Sequence, residues 1–142
     1  DIPAIHRKYA QGFDLVIGSR YVKGGRSNDR ISSFLMSKLL NFVMRIVIGV
    51  RAKDISTSYR LYDTKQVKSV DLVCKNFDIQ QEVILKMKMN KRNQNQEFKI
   101  GEVPIVFRKR KYGKSKRQLF TFIVGYIKTV FMLLRMNMRS VI

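Results

Sequence analysis

Phe13-Asp-Leu-Val-Ile-Gly-Ser19 is the stretch whose reading decides the fold. It is a short, nearly continuous apolar run, the pattern of a strand buried on both faces in a parallel sheet. Arg20 and Tyr21 follow at its C-terminal end, and then a glycine-containing loop, Val-Lys-Gly-Gly-Arg-Ser-Asn-Asp-Arg. Ligands of open α/β sheets sit beyond the carboxyl ends of the strands. Arg20 therefore stands either where a ligand would lie or as a surface arginine in a structural ion pair.

Outward from this strand the chain alternates helical and extended patterns. Ile2–Gln11 reads as a short helix with Pro3 in its first turn and Gly12 past its end. Ser32 or Ser33 can cap a helix running to about Val47 and ending at Gly49, with Phe34, Leu35, Leu39, Phe42, Val43 and Ile46 on a broad apolar face. Arg30 then precedes a helix N-terminus, a position that favours anions. The loop Arg51–Ser58 leads into a strand, Tyr59–Asp63. Its Asp54, Ser56, Thr57 and Ser58 are site candidates or plain turn chemistry. Thr64–Val73 reads as a modest helix. A second amphipathic helix covers Phe77–Met89, with Asp78 as its cap and Gln80 and Glu82 in its first turn, where a carboxylate suits the helix dipole. Asn90–Gln96 reads as a polar loop and Phe98–Arg108 as one strand.

That last strand feeds a cationic loop. Arg108, Lys109, Arg110, Lys111, Lys114, Lys116 and Arg117 contain no acid among them, and Gly113 and Ser115 lie within the run. Backbone N–H groups, a hydroxyl and clustered cations are what holding phosphate oxygens requires, although a solvated basic hairpin tip has the same composition. Leu119–Leu134 follows, apolar nearly all round with Lys128 as its one charge. It is shorter than the roughly 20 residues of a membrane span. It reads as a helix lying in a membrane interface, a buried or oligomer-interface helix, or the start of a longer spanning segment.

Composition narrows the partners. At 142 residues the chain can build one domain with a real core, and its net charge of +19 calls for an anionic partner: nucleic acid, an acidic membrane surface or a phosphorylated substrate. One cysteine, Cys74, excludes an internal disulfide framework and fits a reducing compartment, and one histidine with one cysteine excludes a His/Cys zinc site. The opening Asp1-Ile-Pro does not read as a signal peptide, and its abruptness suggests a piece of a longer protein. No helix-turn-helix, zinc-finger or RRM signature accompanies the charge, so specific nucleic-acid recognition is not expected. A basic nucleic-acid-binding module and a non-catalytic membrane-associated remnant are the alternatives to an enzyme.

Together the segments resemble one family. Gly18-Ser-Arg-Tyr, then Gly24-Gly25 with Arg30 and Ser33, then Asp54-x-Ser-Thr-Ser-Tyr-Arg-Leu-Tyr, then Gln80-x-Glu82, then Glu102-Val-Pro-Ile-x-Phe with Arg110-x-x-Gly-x-Ser-Lys occur in that order. The set, from about Phe13 to Lys116, is similar to the second half of a family 2 glycosyltransferase of the dolichol-phosphate mannose synthase, or polyprenyl-phosphate glycosyltransferase, type. Each motif alone is weak, and five in register are strong.

The resemblance implies an α/β chain with part of a GT-A (Rossmann-like) fold: a mixed sheet flanked by helices, followed by a C-terminal apolar helix. Residues 1–117 would be the acceptor-side half of the catalytic domain and 118–142 a membrane-interface or oligomerisation helix. The implied reaction moves a sugar with inversion from a nucleotide-sugar donor, such as GDP-mannose or UDP-glucose, to polyprenyl phosphate at the cytoplasmic face of a membrane. Carried over residue by residue, it makes Arg20, Arg30 and Arg110 phosphate-binding arginines assisted by Ser33, Ser115 and Lys116. Asp54 and Glu82 become the catalytic carboxylates near the sugar or acceptor, with Gln80 and Arg60 positioning substrate. Two departures stand out. Thr-Ser-Tyr-Arg replaces the commoner Thr-Ser-Gly-Phe-Arg, and the Asp-x-Asp motif that holds Mg²⁺ or Mn²⁺ in the family is absent. The chain alone is therefore expected to be inactive, its metal held by residues outside it. A partial sheet with an open edge and an apolar face is also expected to self-associate.

Overall fold

A computed structural model describes residues 1–28, 31–74, 78–108 and 119–139, the last segment in its backbone with side chains from 125 to 138. The strand β1 (Leu15–Ser19) lies at the centre of a three-stranded mixed sheet. On one side it pairs antiparallel with β3 (Arg60–Tyr62), Val16 opposite Leu61. On the other it pairs parallel with β4 (Ile100–Pro104), Ile17 opposite Glu102.

All five residues of β1 are buried because both sheet faces are covered. Alternation along the strand divides them. Leu15 and Ile17 face a layer of three helices, α2 (Ile31–Ile48), α4 (Ile79–Asn93) and α5 (Leu119–Arg139), and meet Met44, Ile48, Ile55, Ile84, Leu85 and Leu133. Val16 faces α1 (Ile2–Tyr9) and packs with Ile5 and Val103, flanked by Tyr9, Phe13, Tyr59 and Leu61. Each buried aliphatic side chain contributes about 1.5–3 kcal/mol.

The region expected as one strand over Phe98–Arg108 is two. β4 ends at Pro104, and β5 (Val106–Phe107) pairs parallel with β2 (Arg26–Ser27) in a separate ribbon. Ile105 is the crossing point: its N–H donates to the Ser19 carbonyl at 3.1 Å, and its own carbonyl accepts from Arg26 N–H at 2.9 Å. Neither Val106 nor Phe107 is covered, so the apolar alternation there does not mark a continuous buried strand.

Three helix ends also differ from expectation. α3 (Thr64–Lys68) stops well short of Val73. The Ser69 hydroxyl donates to the Gln66 carbonyl and competes with helical pairing, while the N–H groups of Val73 and Cys74 serve another partner, described below. In contrast, α4 runs through the expected loop to Asn93. Lys91 pairs with the Asp14 carboxylate at 3.1 Å, and Asn90 donates to Ser69. The helix then closes with a Schellman motif: Asn95 adopts φ 54°, Gln96 N–H reaches the Lys91 carbonyl and Asn95 N–H reaches that of Arg92. Asp78 occupies the N-cap position of α4 without a side-chain capping bond. α5 extends to 21 residues, beyond the expected end at Leu134.

Gly18 shows how tightly β1 is enclosed. A Cβ there would lie 2.7 Å from Ile105 Cγ2 and closer still to the Tyr59 ring. Gly18→Ala is therefore expected to destabilise the fold by about 1–3 kcal/mol through overpacking. Urea unfolding monitored by circular dichroism measures it, and an unchanged midpoint would show that Tyr59 yields freely.

Candidate functional site

Arg20 and Asp54, two of the polar residues that sequence reading singled out, meet where β1 ends. Arg20 leaves the sheet there, and the loop 51–58 folds back across it. Arg20 Nε donates to Asp54 Oδ2 at 2.7 Å and its Nη2 to Asp54 Oδ1 at 2.9 Å, a two-point ion pair. The Arg20 backbone N–H adds a third bond to the same carboxylate, at 3.1 Å. Asp54 is fully buried, and the Arg20 side chain is 10% exposed.

Hydroxyl and amide groups complete the cluster. Arg20 Nη2 also donates to Ser37 Oγ and Ser56 Oγ, at 3.1 and 3.0 Å. Ser56 Oγ donates to Asp54 Oδ1 and accepts from Asn41 Nδ2, so one hydroxyl uses both its donor and its acceptor capacity. Asn41, nearly buried on α2, accepts from Ile55 N–H through its Oδ1 at 2.8 Å. Glu102 on β4 accepts from the N–H groups of Lys53 and Asp54. Four segments thus hold the Asp54 carboxylate and the loop around it. Arg20 also lies over two aromatic rings, 5.1 Å from Tyr21 and 5.5 Å from Phe107.

A second arginine braces the same loop. Arg60 Nε and Nη2 donate to the carbonyls of Thr57 and Ile55, and Nη1 donates to the Gln80 carbonyl and to Tyr62 Oη. Gln80 Nε2 in turn donates to Ser58 Oγ at 2.9 Å. Arg60 and Gln80 therefore join the start of α4 to the loop that carries Asp54.

Glu82 belongs to a different set of contacts. Its carboxylate pairs with Lys86 at 2.8 Å and accepts from the N–H groups of Val73 and Cys74. The carboxylate that balances Arg20 is Asp54, and Glu82 balances Lys86. Burial acts to raise the Glu82 carboxyl, but the Lys86 ammonium and the two amides outweigh it, so its pKa lies below the ordinary value. Cys74 beside it moves the other way. Burial, then the bond to and charge of Glu82, push the thiol up to about 12.

Of the remaining expected site residues, Ser33 is exposed in the first turn of α2, and Ser37, one turn on, is the α2 hydroxyl that reaches Arg20. Arg30, Arg110, Ser115 and Lys116 lie outside the described residues. Sequence reading missed Ser37 and Asn41, and noted Glu102 in a motif without giving its side chain a role. The spacing of Ser37 and Asn41, four apart and on the helix face turned to the sheet, was the available signal.

The donor set does not suit a divalent cation. Among the described residues no three His, Cys, Asp or Glu side chains gather, and both Asp54 oxygens are taken by Arg20. The cluster fixes a guanidinium and a loop at the C-terminal end of β1.

Two outcomes check these environments. A carboxylate with a depressed folded-state pKa contributes stability above its unfolded value of 4.5 and loses it as pH falls through the lower folded value. Glu82→Gln is expected to lower stability at pH 7 and to flatten the acid limb of stability as pH falls below the unfolded value of 4.5. An acid limb unchanged in urea titrations would remove Glu82 as its source. For Cys74, alkylation by iodoacetamide at pH 8 should be about 1,000-fold slower in the folded chain than in urea, since the thiolate is the reactive form. A difference under about 10-fold would show an ordinary thiol.

Comparison with known proteins gives the cluster its context. No family model matches the chain. It is 35% identical over 113 residues to the polyprenol monophosphomannose synthase of Mycolicibacterium smegmatis, covering 74% of this chain and 39% of that protein. It is 34% identical over 108 residues to the undecaprenyl-phosphate mannosyltransferase of Micrococcus luteus, covering 72% and 42%. With the dolichol-phosphate mannosyltransferase of Pyrococcus furiosus it shares 32% identity over 137 residues, covering 94% and 36%. The chain thus spans well under half the length of these relatives. Three relatives from separate organisms agree in kind, and the chain is a distant homologue of the polyprenyl- and dolichol-phosphate mannosyltransferases of glycosyltransferase family 2, over part of their length.

Proposed function

We propose that the chain is the acceptor-side part of an inverting glycosyltransferase that moves a sugar from a nucleotide-sugar, such as GDP-mannose or UDP-glucose, to polyprenyl phosphate at a membrane surface. The observation that carries this reading is the ribbon of β2 and β5. The strands are parallel, Arg26 opposite Val106 and Ser27 opposite Phe107. Asn28 and Arg108 therefore leave it side by side and in the same direction. The Phe107 ring at its end lies over the Arg20 guanidinium. Arg20 thus stands at the end of the sheet from which this ribbon departs; in this reading Arg30, Arg110, Ser33, Ser115 and Lys116 supply the remaining phosphate contacts.

The chemistry fits such a site. The acceptor nucleophile is already a phosphate oxyanion, so no strong general base has to remove a proton. The protein must hold two clusters of negative charge close together, and fixed cations do that without reorganising during the reaction. In this reading Asp54 fixes the Arg20 guanidinium beside the reacting groups and is a positioning residue. Gln80 and Arg60 shape the loop that carries it. Glu82, buried against Lys86 and the N–H groups of Val73 and Cys74, fixes the start of α4. A divalent cation, Mg²⁺ or Mn²⁺, would neutralise the donor diphosphate and would be held by residues outside this chain.

Titration of the chain in detergent micelles with a short polyprenyl phosphate, against the same polyprenol without phosphate, tests the reading. The phosphate is expected to bind and the alcohol not, with Arg110→Ala weakening the former by about 10-fold or more. Equal binding of phosphate and alcohol would refute an acceptor-phosphate site. With GDP-mannose or UDP-glucose, Mg²⁺ and the lipid added, no nucleoside diphosphate should be released. Clear turnover would show that the chain carries the donor chemistry too.

A further inference from the structure

The helix α2 is apolar on two opposite faces, and the fold uses only one. Met44, Val47 and Ile48 face the core with Asn41. On the other side Ile31, Leu35, Leu39, Phe42 and Ile46, spaced four, four, three and four residues apart, form a stripe in which each residue is at least 57% exposed. The helix has a mean hydropathy of 1.6, yet only 22% of it is buried. A helix this apolar all round is ordinarily covered on every side.

The charges beside the stripe indicate what covers it. α2 contains no acid, and Lys38 and Arg45 flank one side of the stripe. At its C-terminal end an open depression of about 180 Å³ is lined by Phe42, Arg45, Ile46, Gly49, Val50 and Arg51. Two residues of the apolar stripe and two arginines therefore share one concavity. Among the described residues Arg45 Nε is buried without a hydrogen-bond partner.

The helix end does not engage these arginines. Its free carbonyls, Ile48 and Gly49, are taken by Lys88 from α4, at 2.8 and 2.9 Å. Lys88 already neutralises the negative end of the helix dipole. What remains is a positive, partly apolar pocket on the margin of an exposed apolar stripe, complementary to an anion attached to an acyl chain.

We propose that the outward face of α2 lies on a bilayer with the phosphate of an anionic phospholipid headgroup seated between Arg45 and Arg51. The stripe enters the boundary between headgroups and acyl chains, as interfacial helices do. The two guanidinium groups select anionic over zwitterionic lipid. None of the residues assigned to the acceptor phosphate takes part, so the site stands or falls apart from the transferase reading.

The test uses the whole chain with vesicles of phosphatidylcholine, alone or containing phosphatidylglycerol, at fixed salt. Binding is expected to need phosphatidylglycerol and to weaken about 10-fold or more in Arg45→Gln/Arg51→Gln. Arg45→Lys/Arg51→Lys, which keeps the charge, should restore most of it. Lys65→Gln/Lys68→Gln on α3 removes the same charge from exposed positions and should weaken it far less. Equal losses in the two glutamine variants would overturn the site, leaving net charge alone. The chain has no tryptophan, so Phe42→Trp reports depth: acyl-brominated lipids should quench it. An unquenched signal would overturn the docking face. So would a dimer, seen by light scattering, that Phe42→Ser dissociates while vesicle binding is unchanged, because a second copy would then be the cover.

Discussion

The Asp54 carboxylate is fully enclosed, and an ionised carboxylate without a partner in such a place costs several kcal/mol. That constraint organises the end of the sheet. Arg20 must be the residue that follows β1, because only from there can its backbone N–H and its guanidinium both reach Asp54. The loop must turn so that Ser56 returns to the same carboxylate, and α2 must present Ser37 and Asn41 one turn apart. Glu102 fixes the loop from β4, the strand parallel to β1. A buried charge of this kind is weak evidence of stability, since apolar replacements often serve as well, but it admits few alternative arrangements of these four segments.

The fold was legible in the sequence where one short-range pattern was enough. Phe13–Ser19 reads as a doubly buried strand because its apolar run is unbroken, and α2 reads as a helix because its spacing is helical. What failed depended on partners distant in the chain. α3 stops early because Val73 and Cys74 lend their N–H groups to Glu82, and α4 runs on because Lys91 finds Asp14, 77 positions away in numbering yet adjacent in space. Asn90–Gln96 is polar, and polarity alone marks a loop and an exposed helix end equally. The break at Ile105 was likewise invisible, because the alternation of Val103, Ile105 and Phe107 continues across it.

The site was legible as residues and not as contacts. Arg20 and Asp54 could each be noticed from position and motif, yet nothing local shows that they pair. Glu82 was noticed from the family pattern, and the structure pairs it with Lys86, four residues on along the same helix. Ser33 attracted notice through the family pattern, whereas Ser37 carries the bond to Arg20. The packing shows which of the side chains hold the frame.

Internal pairing has a consequence for the protein's outer charge. Asp14, Asp54 and Glu82 are buried and matched with Lys91, Arg20 and Lys86. At most seven of the ten acids are left to face solvent among the 29 lysines and arginines. The interior thus removes acids from the surface, where they would have dispersed the positive field. In solution such a surface gathers a layer of small anions. A phosphate-bearing ligand arriving there displaces them, and part of the drive for its association comes from the entropy of the ions released.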